Sequence, residues 1–303
     1  MKDNRILVMD VLRGSLNDGP GIRTTVFTKG CPLRCLWCHN PESQGFQPEL
    51  SYEDSKCIHC GSCQTACPNS VHDVTSEGHE LKRSDCLACG ACVAECPQNG
   101  LKIVGQWWEP SALVELCLRD LHFYRRSGGG ITISGGEPMS QFSGVFETLR
   151  LAKQAGLHTC LDTCGQAALS RYQEILPFVD LFLWDFKATG QEDHTRLTGV
   201  NGVRIEENLR SLYDAGAAIR LRCPLIPGLN DSSEHLAKIA QLSHEMPRLH
   251  GIDLMPFHSL ARDKAAKVGM VQEGLPTESA SQEDISHWLT KLADLGCTRA
   301  TIG

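Results

Sequence analysis

The spacing of the cysteines constrains this chain more than any other feature. Cys57, Cys60, Cys63 and Cys67 are separated by two, two and three residues and followed by Pro68; Cys86, Cys89, Cys92 and Cys96 repeat that spacing ahead of Pro97. The two runs, CIHCGSCQTACPNS and CLACGACVAECPQN, form an internal repeat. A third group, Cys31, Cys35 and Cys38, is spaced differently and has no obvious fourth member. Sixteen cysteines in 303 residues would supply a disulfide scaffold in an oxidising compartment. The opening residues MKDNRILVMDVLRG lack the apolar core of a signal peptide, however, and no later stretch approaches membrane-spanning length. A cytoplasmic chain with no membrane partner is therefore expected, and in a reducing compartment grouped cysteines bind metal or perform catalysis. The scattered Cys117, Cys160, Cys164, Cys223 and Cys297 read as buried thiols, because a free cysteine packs as a small hydrophobe.

Each four-cysteine run has the spacing by which bacterial two-cluster ferredoxins hold iron–sulfur clusters, with the fourth cysteine of each run serving the other cluster. One 4Fe–4S cluster then takes Cys57, Cys60, Cys63 and Cys96, and the second takes Cys86, Cys89, Cys92 and Cys67. Zinc is the alternative, since Cys-x2-Cys pairs also suit a tetrahedral ion. Residues 51–102 carry too few large apolar side chains for a core of their own, as expected of a small unit folded by metal. They are read as a ferredoxin-like insertion in a larger domain formed by 1–50 and 103–303. Cys31, Cys35 and Cys38 give a 4Fe–4S cluster three thiolates and leave one iron open, as a catalytic metal site keeps an open position. A fourth ligand elsewhere, such as His39 or a scattered cysteine, would instead make a structural or electron-transfer centre.

From Trp107 onward, short apolar runs alternate with helical patterns. Ile131–Ser134, His158–Asp162, Leu181–Asp185, Ile219–Cys223 and Ile252–Met255 read as strands, and Arg23–Thr28 as an earlier one. Phe142, Val145, Phe146, Leu149 and Ala152 repeat at helical spacing before Gly156, and Ser281 can cap a helix ending at Gly296. Six such units predict an α/β chain, a partial (β/α)6 TIM-type barrel with the small ferredoxin-like 4Fe–4S insertion. Sites on such barrels gather at the C-terminal strand ends. The charge balance of 29 basic against 36 acidic residues argues against a nucleic-acid partner, which calls for a basic excess.

CPLRCLWC, with Trp37 before the last cysteine, resembles the radical S-adenosylmethionine (SAM) signature. DGPGIRTTVFTKGC (Asp18–Cys31), CHNPE (Cys38–Glu42), SGGEP (Ser134–Pro138), LDTCG (Leu161–Gly165) and WDFK (Trp184–Lys187) resemble the glycyl radical enzyme activating enzymes, over nearly the whole chain. Pyruvate formate-lyase activating enzyme is the best-known relative, and the insertion resembles the larger subgroup. Cys164 departs from the pattern, standing where Asn or a small polar residue is expected.

The resemblance implies that the open iron chelates the amino and carboxylate groups of SAM. An electron passes to the sulfonium, methionine leaves, and a 5′-deoxyadenosyl radical removes hydrogen from a glycine α-carbon of the partner. It implies that Gly135, Gly136 and Glu137 receive the SAM amino group. Asp162 and Asp185, ending neighbouring strands, hold a monovalent cation beside the SAM carboxylate, and His258 contacts SAM. Lys187 shares parity with Asp185. Arg220 and Arg222 share one face of their strand, and Arg222 suits a carboxylate if that face is the lumen. The implied protein substrate is a glycyl radical enzyme, met by Asp18–Arg23, and the expected electron donor is a reduced flavodoxin or ferredoxin. Two rival readings are a radical SAM enzyme acting on a small molecule or RNA, and an electron-transfer protein with three clusters in relay.

Overall fold

The computed structural model describes residues 4–259 and 261–303. Its strands are β1 (Ile6–Ser15), β2 (Arg23–Thr28), β3 (Glu49–Tyr52), β4 (His72–Val74), β5 (His79–Leu81), β6 (Leu101–Val104) and β7 (Gln106–Trp108). They continue as β8 (Gly130–Gly135), β9 (His158–Thr163), β10 (Leu181–Asp185), β11 (Ile219–Leu225), β12 (Gly251–Pro256) and β13 (Ala300–Ile302). The main sheet runs β13-β12-β11-β10-β9-β8-β2-β1-β7. From β2 through β13 every pairing is parallel, whereas β1 lies antiparallel to both β2 and β7. The curved sheet leaves β13 and β7 as separate edges, so the barrel is partial.

The six strands read from sequence form the parallel core, each within two residues of its expected ends. Strands β1, β7 and β13 were not anticipated. Strand β1 has no clean alternation, and β7 and β13 are three residues each, too short for a period to register. The helices follow their apolar spacing. In Phe142–Gln154, Val145, Leu149 and Ala152 are fully buried against the sheet, and Gly156 lies just beyond at φ +75°. In Gln282–Asp294, Ser281 and Asp284 form a capping box, while Trp288 and Leu292 are fully buried. Among the described residues, no helix is long and apolar enough to cross a membrane.

Strand pleating sorts the side chains. Phe182 and Trp184 of β10 enter the main core under the helices, while Leu181 and Leu183 point to the other face and pack with Cys160. That second face is the lumen. Its floor is this small apolar plug, and the next layer toward the C-terminal strand ends is polar: Asp162, Asp185 and Arg222. The segment between β3 and β6 leaves the barrel through an antiparallel ribbon in which Tyr52 pairs with Leu101. It holds two short helices (Ser62–Ala66 and Ala91–Ala94) and the β4–β5 hairpin, around a small core that includes Leu50, Cys63, Cys92 and Leu101.

Candidate active site

A cleft of about 240 Å3 opens at the C-terminal ends of the parallel strands. The loop after β2 brings Cys31, Cys35 and Cys38 to one wall; β8 contributes Ser134, Gly135 and Gly136; β9 to β12 contribute Asp162, Asp185 and Lys187, Arg222, and Met255. Burial pushes the Cys35 thiol up to about 12, and raises Cys31 and Cys38 as well. Such thiols hold their protons at neutral pH unless a metal displaces them. Three half-buried soft donors on one wall fit iron–sulfur ligation.

Trp37 is buried with Ala188, Leu197, Ile226 and Phe257, sealing the cysteine loop from below. Gly135 and Gly136 are needed for backbone contact. Gly135 has φ +111° and a Cβ there would overlap the Thr28 backbone, while one on Gly136 would come within 2.5 Å of the Gly30 carbonyl oxygen. This close approach lets Gly136 N–H donate to the Thr28 carbonyl at 2.9 Å, fastening β8 to the start of the cysteine loop.

Arg222 is the centre of the polar layer. Its guanidinium donates to Asp162 at 3.2 Å, lies 3.8 Å from Asp18, and reaches Met255 Sδ at 3.8 Å. The strand-parity reading is correct for both arginines: Arg220 shares the face and pairs with Asp253 at 2.7 Å, nearer the open N-terminal end. Burial pushes the Asp162 carboxyl up to about 6, against the pull of Arg222. One of its oxygens, Oδ2, accepts from Ser134 at 2.7 Å, while Oδ1 is buried without a partner. Lys187 pairs with Asp185 at 2.7 Å. Burial works against its charge, but Asp185 and the nearby Cys35 outweigh it and hold its pKa well above the ordinary value.

Glu137 does not reach the cleft, contrary to the expectation that it meets the SAM ammonium. It is 1% exposed and accepts from Thr163 Oγ1 at 2.7 Å, Cys164 N–H at 2.7 Å and Met139 N–H at 3.0 Å. All its bonding is internal, so it fixes backbone between β8 and β9. His258 is exposed and outside the cleft lining; His39 does line the cleft and stacks on Phe257. Arg23, expected at a partner surface, is fully buried and bonded to Thr132 Oγ1 at 2.7 Å and to the carbonyls of Pro20 and Ile131. Asp18 does face the cleft, held by Ser15 at 2.6 Å and Thr25 at 2.8 Å. Ser134 and Met255 were missed by sequence reasoning, though their place at strand ends was a usable signal. The five scattered cysteines are all buried, and of them Cys164 lines the cleft.

In the cysteine-rich segment, Cys57, Cys60, Cys63 and Cys96 surround one small cavity, and Cys67, Cys86, Cys89 and Cys92 another. Each quartet thus borrows its fourth member from the other run.

Residues 49–97 match the family model described as a 4Fe-4S dicluster domain. The chain is 38% identical to the trans-4-hydroxy-L-proline dehydratase activating enzyme of Clostridioides difficile, over 92% of this chain and 93% of that one. It is 37% identical to the choline trimethylamine-lyase activating enzyme of Oleidesulfovibrio alaskensis, over 89% of each. It is 40% identical to the benzylsuccinate synthase activating enzyme of Thauera aromatica, over 87% of this chain and 82% of that one. A solved radical SAM methyltransferase from Sphaerobacter thermophilus shares the fold at 15% identity, with a TM-score of 0.55 over 98% of this chain and 76% of that one.

Proposed function

The chain belongs to the glycyl radical enzyme activating enzymes, radical SAM enzymes that act on a partner enzyme's glycine, and we propose that Cys31, Cys35 and Cys38 hold the 4Fe–4S cluster at which S-adenosylmethionine is cleaved. The observation that carries this assignment is the convergence of three half-buried cysteines with the Asp162, Asp185, Lys187 and Arg222 layer on one cleft. Of the other candidates for a fourth ligand, His39 stacks on Phe257, and the Cys164 thiol is buried, with burial and the Glu137 carboxylate holding its pKa well above the ordinary value.

The cluster, when bound, supplies the electron that breaks the sulfonium carbon–sulfur bond. The chain's own residues bind and orient. The half-buried backbone at Gly135 and Gly136 lines the cleft and offers carbonyl oxygens to the SAM ammonium, and Arg222 suits its carboxylate. The unpartnered Asp162 Oδ1 supports a monovalent cation at this layer. Trp37 and the Phe257 cluster keep water from the cysteine loop.

Residues 51–102 form, in this reading, a separate unit with two further 4Fe–4S clusters on the crossed quartets, set on a barrel of 1–50 and 103–303. Three clusters form an entry path for electrons from a reduced flavodoxin or ferredoxin. Sixteen unbridged cysteines support a reducing cytoplasm.

The test is an anaerobic comparison of wild type with the Cys31→Ala, Cys35→Ala, Cys38→Ala triple variant. Iron should fall from about twelve to about eight atoms per chain, at four per cluster. Release of 5′-deoxyadenosine, and the glycyl radical signal on a partner encoded nearby, should both disappear. Retained cleavage would refute the assignment.

A further inference from the structure

Two histidines of the β4–β5 hairpin lie between the crossed cysteine quartets, where the repeat gives no reason to expect them. His79 stands seven residues before Cys86, and the matching position before Cys57 is Leu50; His72 follows Cys57 by fifteen residues, and the match after Cys86 is Leu101. The leucines are buried in the small core. The histidines bond each other, His72 Nδ1 to His79 Nε2 at 2.9 Å. His79 Nδ1 lies 3.7 Å from Cys57 Sγ, within N–H···S reach, its Nε2 lies 3.9 Å from Cys63 Sγ, and Tyr52 packs edge-on against its ring at 4.6 Å.

The network assigns the protons. His72 is 4% exposed, and its Nε2 is buried without a partner. A buried unpartnered N–H is costlier and rarer than a buried lone pair, so Nε2 is the bare nitrogen and Nδ1 carries the hydrogen. His72 then donates to His79 Nε2, which leaves the His79 hydrogen on Nδ1, facing Cys57.

We propose that His72 and His79 form a directional pair that donates one N–H···S hydrogen bond to the cluster ligand Cys57, raising the reduction potential of that auxiliary cluster above the value it would have without the donor. The proposal rests on the assignment of Cys57, Cys60, Cys63 and Cys96 to one cluster. Its physical basis is charge: reduction adds a negative charge shared by the thiolate sulfurs, and a donor aimed at one of them stabilises the reduced form. The other quartet takes backbone rather than side-chain donors, Val71 N–H to Cys67 Sγ and Ala88 N–H to Cys86 Sγ, both at 3.4 Å.

EPR-monitored redox titration of the holoenzyme tests this, the auxiliary signals being told apart by Cys60→Ser. His79→Leu removes the donor; His79→Asn keeps an N–H near the Nδ1 position. The Cys57-linked midpoint should move to more negative potential in His79→Leu and stay near wild type in His79→Asn, with the other midpoints unchanged. No shift with all clusters retained, or a shift of the other auxiliary cluster instead, overturns the proposal. Pulsed EPR on wild type carrying 15N-histidine reads the same contact without any variant. A weak nitrogen coupling to the reduced cluster supports the hydrogen bond; a large one, marking a ligand, or none at all, overturns it. Iron content separates the premise: about four atoms in wild type, one cluster's worth, would refute the cluster assignment itself and the proposal with it.

Discussion

At the scale of single residues, burial decides which polar groups can meet a ligand. The Gly-Gly-Glu run reads in sequence as one unit, but its glycines and its glutamate serve different purposes. Glu137 spends its carboxylate on three internal donors, and Glu137→Ala would leave them buried and unpaired. The expected cost is about 3–5 kcal/mol of unfolding free energy, measured by anaerobic urea denaturation. The accompanying loss of SAM binding should be partly restored by Glu137→Gln, which keeps an acceptor. Arg222 acts through charge. Burial raises the Asp162 carboxyl to about 6, and Arg222 is the largest influence opposing it. Where binding requires the carboxylate, SAM affinity rises as pH rises through that value. Arg222→Met removes the opposing charge, so the rise should occur at higher pH, with affinity at neutral pH down roughly tenfold or more, as for a lost charge-assisted bond. Calorimetric titration of SAM between pH 5.5 and 8.5 checks both the direction and the size.

At the scale of elements, the insertion is joined to the barrel by little. Tyr52 pairs with Leu101 across the ribbon, so the chain can be closed there by a short turn. Arg83 bonds the Leu50 carbonyl and the Lys267 carbonyl, and Lys267 pairs with Glu53 at 3.0 Å. Through Gln272, whose side chain donates to the Cys38 carbonyl at 2.9 Å, the same stretch of chain reaches the Cys31–Cys38 loop. Replacing residues 53–100 by Asp-Gly should give a folded protein with about four irons, one cluster's worth. It should still cleave SAM with a small chemical reductant and fail with reduced flavodoxin or ferredoxin. Equal activity with the protein donor would show that electrons bypass the insertion. The alternation of apolar runs and helices made the parallel core legible in advance. The edge strands were not, because three residues carry no period and β1 is exposed on alternating and irregular positions.

At the scale of the molecule, the parallel sheet gathers separate sequence motifs into one cleft, since the cysteine loop, SGGEP, LDTCG and WDFK follow or end β2, β8, β9 and β10, which all run the same way. The relatives named above are activating enzymes of different glycyl radical enzymes. Sequence alone determined what is local or periodic: three cysteine groups and their spacing, the crossed pairing implied by the repeat, the strands and helices of the core, and the common face of Arg220 and Arg222. These follow from covalent spacing and from backbone periods of two and 3.6. Only the tertiary structure decided which polar groups face the cleft. Arg23 and Glu137 are withdrawn from it, Asp18 and Met255 are brought into it, and a histidine pair is set between the auxiliary quartets. The reason is that burial and hydrogen-bond partners are supplied by residues far away in sequence, as when Arg23 is held by Thr132, 109 positions along the chain.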